Sequence, residues 1–104
     1  MNYLKKLYGR TVIDSSDSEE LIEDNKIELE YYQIKNETSS KPYGIEIVKR
    51  KVENDIMNIE EKTVRNICNV EQDNNKLLEI LMSNKVTPVA VEDIIEDLSK
   101  IKVI

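Results

Sequence analysis

Residues 27–49 read IELEYYQIKNETSSKPYGIEIVK, and the fold turns on how this stretch is read. Two runs rich in β-branched and aromatic residues, IELEYYQIK and YGIEIVK, flank the polar heptapeptide NETSSKP. Thr38, Ser39 and Ser40 supply turn chemistry, and no helix passes comfortably through Pro42. The stretch therefore predicts an antiparallel hairpin with its turn near Thr38 and Ser39. In the second run Tyr43, Ile45 and Ile47 alternate with Gly44 and Glu46, so one face is apolar. In the first run the phase slips: Ile27 and Leu29 point one way, Tyr32 and Ile34 the other. A β-bulge at Tyr31–Tyr32 would put Ile27, Leu29 and Ile34 on one face. Without it, the hairpin is apolar on both faces at different ends and needs a second cover.

Downstream, Val70, Leu77, Leu78 and Leu81 form one helical stripe across residues 70–84. Asn69 followed by Gln72 resembles a capping box, and Asn84 suits a left-handed position just past the helix end. A second helix is expected from Thr87 as N-cap with Pro88 in its first position. At 100° per residue, Val91, Ile94, Ile95, Leu98 and Ile101 share one arc, while Glu92, Asp93, Glu96 and Asp97 share the opposite one. Carboxylates that hold a metal in a helical protein point inward, usually with histidine, and this chain has no histidine. The four acids thus read as a solvated face or a charged docking surface. The like-charge pairs cost only a few tenths of a kcal/mol each, about what the N-terminal dipole returns.

Residues 53–69 are ambiguous. Ile56, Ile59, Thr63, Val64 and Ile67 recur at helical spacing, yet Thr63, Val64, Ile67 and Cys68 favour a strand. At the N-terminus, Leu4, Leu7 and Tyr8 fit one helical face that Gly9 cuts short, and Thr11–Ile13 suits an edge strand equally well. Residues 14–25, DSSDSEELIEDN, are acidic and serine-rich, with only Leu21 and Ile22 apolar, and read as a flexible linker. The serines among acids also suit acid-directed kinases.

Composition narrows the classes of function. The 104-residue chain suffices for one domain, divided as an N-terminal segment 1–25 and an α+β unit 26–104. Lacking Trp and Phe as well as His, it needs an aliphatic core with Tyr at the margins. A net charge of −6 repels nucleic-acid backbones and anionic lipid, and the basic run Lys49–Lys51 is too short to offset it. One cysteine excludes an internal disulfide and points to a reducing cytoplasm. No apolar run approaches the ~20 residues of a membrane span, and no signal-peptide h-region is present. The two glycines stand alone, which argues against a phosphate-binding loop. Cys68 has no histidine to activate it and reads as a small buried apolar residue. No cofactor or metal site is expected.

The segments YYQIK (31–35), YGIEIVK (43–49) and NKVTPVAVEDIIEDL (84–98) resemble a family of short uncharacterised proteins from clostridia and related bacteria. The resemblance covers about residues 27–100 and implies a third strand across 57–67, against the slight helical lean of the spacing. It carries no catalytic residue with it.

The expected fold is α+β: an antiparallel sheet of three or four strands, then two helices packed on one face. Leu77, Leu81, Ile94, Ile95 and Leu98 should meet Tyr43, Ile45 and Ile47. The expected function is a small cytoplasmic protein-interaction or regulatory module without catalysis. Its candidate contacts are Glu92, Asp93, Glu96 and Asp97 on the helix, and Tyr31 and Tyr32 on the hairpin, since exposed tyrosines favour interfaces. Two alternatives are a homodimer that buries a spare apolar hairpin face, and a carboxylate enzyme using Mg²⁺ or Mn²⁺.

Overall fold

The computed structural model describes residues 3–13 and 26–101. Four strands come first: β1 (Tyr3–Ile13), β2 (Ile27–Asn36), β3 (Tyr43–Glu53) and β4 (Ile56–Cys68). Two helices follow, α1 (Glu71–Ser83) and α2 (Val91–Lys100). The strands form one antiparallel sheet in the order β1-β2-β3-β4, each beside its neighbour in sequence. The protein is thus an α+β fold with a four-stranded meander. Residues 3–13, open to two readings from sequence, form an edge strand. The linker expected at 14–25 lies outside the described residues.

The β2–β3 turn falls where the sequence places it. Asn36 Oδ1 accepts from the Thr38 N–H and from the Thr38 hydroxyl, and the Asn36 N–H donates to the Pro42 carbonyl at 2.7 Å. The second turn is shorter. Asn54 and Asp55 both have positive φ, 52° and 65°, as a two-residue type I′ hairpin requires. That turn makes 56–68 a strand, as the resemblance implies and the helical spacing does not.

Of the two arrangements the sequence leaves open at Tyr31–Tyr32, the one without a bulge is found. β2 pairs with β3 in unbroken register from Ile27↔Lys51 to Lys35↔Tyr43. Leu29, Tyr31 and Gln33 therefore face one side, and Glu30, Tyr32 and Ile34 the other. The irregularities lie in the outer strands: β1 slips between Leu7 and Gly9, and β4 slips opposite the Tyr43–Ile45 step, with Asn66 at φ 57°. The second slip lets β4 approach Gly44 closely, since a Cβ there would run into the Val64 carbonyl oxygen.

Both helices pack against the Tyr31 side. Leu29, Tyr31, Ile45, Ile47, Leu77, Leu78, Leu81, Val86 and Val91 form the core, with Ile94, Ile95 and Leu98 half-buried against it. Tyr43 is not a member of this core, contrary to expectation. It sits at the strand end, with the Lys35 ammonium 5.4 Å from its ring. Tyr31 takes the central place and donates its hydroxyl to the Val86 carbonyl at 2.9 Å, tying the connection between the helices to the sheet. Asn74 is fully buried and donates to the Gly44 carbonyl at 2.9 Å, across from the β4 irregularity.

The helix ends differ in detail from the sequence reading. α1 has Val70 at its N-cap with no side-chain cap bond, so no capping box from Asn69 forms. Glu71 and Asp73 in the first turn complement the dipole instead. At its other end the Val86 N–H reaches the Leu81 carbonyl and the Lys85 N–H the Met82 carbonyl, a Schellman closure. The left-handed residue is Lys85 (φ 50°), one place after Asn84. α2 starts a turn later than Thr87: the Ala90 N–H bonds the Thr87 carbonyl, and the regular helix begins at Val91. Ile101, placed in the apolar arc, is 70% exposed because α2 closes there. The Cα atoms span 45 × 32 × 18 Å, and the short dimension holds one sheet and one helix layer.

Candidate functional site

Strand alternation and the unbroken β2–β3 register give the sheet a face without helices. Across it, residues fall into cross-strand rows. One row runs Leu7, Tyr32, Glu46, Thr63; the next Arg10, Glu30, Val48, Glu61; the next Val12, Glu28, Arg50, Ile59. Val52 and Met57 continue it towards the Asn54–Asp55 turn. These residues belong to all four strands, so the face exists only in the folded sheet.

Its charges are tied to one another. Glu30 pairs with Arg50, lies 3.6 Å from Arg10, and accepts the Tyr32 hydroxyl at 3.1 Å. The Arg50 guanidinium holds the Glu30 carboxyl below its usual range despite partial burial, and Glu30 in turn raises Arg50. Glu46, largely buried, pairs with Lys5 and accepts the Thr63 hydroxyl at 2.8 Å. The Lys5 ammonium also lies 4.3 Å from the centre of the Tyr32 ring. Glu28 and Glu61 lie on the same face outside the close ion pairs of the described residues, although Glu28 sits across from Arg50 and adds to the field that raises it. Around this network Leu7, Val12, Val52, Met57 and Ile59 are between 39% and 55% exposed. That is more apolar side chain than a strand face turned only to water carries.

The six residues singled out from sequence are scattered. Glu92, Asp93, Glu96 and Asp97 lie together on the solvent side of α2. Glu92 pairs with Lys62 of β4 at 2.5 Å and Glu96 with Lys100 at 3.4 Å. Tyr31 is buried in the core, where burial pushes its phenol upward, and it is unavailable to a partner. Tyr32, its neighbour, lies on the helix-free face, partly covered by Lys5. Register separates the two tyrosines, and sequence spacing alone placed them together. The Glu30–Arg50 pair and the apolar residues of β4 were missed; the alternation of Val48, Arg50 and Val52 is the signal that would have found them.

Other surfaces offer less chemistry. Cys68 is buried beside a hollow of about 560 Å³ between β4 and α2, and burial, then Asp73, raises its thiol. A thiol so placed stays protonated at neutral pH. Among the described residues, no three His, Cys, Asp or Glu side chains converge as a metal ligand set would. No helix among them is long and apolar enough to cross a membrane. A family model matches residues 10–100; its description is a family of unknown function, DUF6514. No curated protein and no solved structure matches the chain.

Proposed function

The chain belongs to the family of unknown function DUF6514, so its role has to be read from its own surfaces, and we propose that it is a non-catalytic protein-interaction module of the cytoplasm that docks through the helix-free face of its sheet. The observation that carries this reading is the band of Val12, Val52, Met57 and Ile59, set among charges already neutralised in the plane. Covering it releases water from apolar surface, and the paired charges enter the interface at reduced desolvation cost. Reactive chemistry finds less support: the one thiol is buried and protonated.

A second reading uses α2. Asp93 and Asp97 are exposed, whereas Glu92 and Glu96 are engaged by lysines of this chain. Half of the acidic cluster is therefore free to meet a basic partner. Such a contact is rim-like and salt-sensitive, and would steer an encounter more than hold it. A photo-crosslinking amino acid at Ile59, in cells, is expected to capture protein in a discrete band. The same group at Asp97 is expected to capture little. The reverse pattern would transfer the docking site to α2 and remove the sheet from the account.

A further inference from the structure

Resting on the docking reading above, we infer that the occupant of the helix-free face is a second copy of this chain, stacked face to face about a twofold axis parallel to the strands.

The order of charges along the rows favours this symmetry. One row reads Arg10, Glu30, Val48, Glu61 from β1 to β4, and the next reads Val12, Glu28, Arg50, Ile59. A twofold axis along the strands keeps each row at its own level and reverses it. β1 then lies over β4 of the second copy, and β2 over its β3. Arg10 meets Glu61 of the second copy, Arg50 meets Glu28 of the second copy, and Val12 meets Ile59 of the second copy. Each of these contacts occurs twice. Glu61, which is in no ion pair among the described residues, gains Arg10, and Glu28, already the cross-strand neighbour of Arg50 within the chain, gains a second guanidinium. Nowhere in these two rows do like charges face each other.

The competing symmetry fails on the same rows. An axis across the strands lays each strand on itself. Centred on the Glu30 row, it sets Arg10 on Arg10 and Glu61 on Glu61. Centred between the two rows, it sets Glu28 against Glu30. A foreign partner of strong charge is also disfavoured, because most of the face's charge is already compensated within the chain.

Size and geometry agree. Four strands about 4.8 Å apart, each presenting about 30 Å of length, give roughly 600 Å² of flat area per copy. Both copies together then bury on the order of 1,200 Å² of accessible surface, the lower end of specific interfaces, supplied by the exposed residues around Ile34, Glu46 and Val48, which the chain itself already buries. Stacked sheets of this kind align within about 30°, so register is kept best at the centre, where the two charged rows lie.

Sedimentation equilibrium of the full chain tests the inference. The expected result is a species of twice the 12.1 kDa chain mass. Arg10→Glu and Glu61→Arg, at exposed positions, should each weaken the dimer about tenfold, and the double variant should recover most of the loss. Circular dichroism confirms that the variants fold. Ile59→Ser should weaken the dimer without charge. A monomer up to about 200 µM would overturn the inference, as would single variants without effect or a double variant without recovery. A monomeric chain that still crosslinks another protein from Ile59 would remove the second copy and leave the docking surface standing. A dimer insensitive to Ile59→Ser would place the contact on another face and overturn the inference.

Discussion

Asn74 does at one point what a helix-on-sheet packing usually leaves to apolar contact. Its amide crosses from α1 to the Gly44 carbonyl, at the step where β4 breaks register. Asn74→Ala should cost about 0.5–1.5 kcal/mol, because it removes a buried hydrogen bond to the Gly44 carbonyl, a loss partly offset by removing the Asn74 Oδ1, which is buried without a partner. Urea denaturation measures this directly. Glu30 makes a different kind of prediction. Its carboxyl is held low by Arg50, so its contribution is present in full above the unfolded value of about 4.3 and is lost as pH falls through the lower folded value. The stability gap between the native chain and Glu30→Gln should therefore be wide at neutral pH and close in acid. A gap independent of pH would exclude the ion pair as its source. At this scale the sequence is least legible. Tyr31 and Tyr32 are chemically identical neighbours, and only the pairing of Tyr31 with Ile47 decides which one is buried.

Single elements were more readable, and their errors share a cause. Each run of apolar spacing from 27 onward reads directly as the strand or helix it forms, apart from 56–68, a strand that its spacing alone does not decide. There β-branched residues at three- and four-residue intervals satisfy both periods, and the turn at Asn54–Asp55 arbitrates. That pair is a weaker turn signal than Asn-Gly, so it passed unnoticed. The helix ends were misplaced by one to a few residues because backbone closure outweighed side-chain capping. Lys85 holds the left-handed position of the α1 closure at φ 50°, where a Cβ is unfavourable. Lys85→Gly should thus raise stability by roughly 0.5–1 kcal/mol, read as a higher melting temperature. An unchanged or lower melting temperature would show that the lysine side chain compensates for the backbone.

As a whole, the molecule is a sheet insulated on one side. The α+β class was legible from the hairpin and the two amphipathic runs; the helix-free face was not. Sequence alternation tells which residues share a side, but not which side the helices choose. The candidate acids on α2 were correctly oriented by periodicity, whereas the sheet surface required register across four strands. The meander places β2 and β3 inside and β1 and β4 at the edges. Amide exchange should accordingly be slowest in Leu29–Gln33 and Ile45–Val48, and faster in Ile56–Glu61 at the exposed end of β4. Uniform protection across all four strands would mean that the sheet opens only as one unit.

Tyr31 carries a practical consequence. The chain has five tyrosines and no tryptophan, so tyrosine is its sole strong intrinsic fluorophore. One of the five is sealed in the interior with its hydroxyl bound to Val86. Its emission is therefore a built-in optical gauge of whether the strap joining the two helices is seated, and it requires no label.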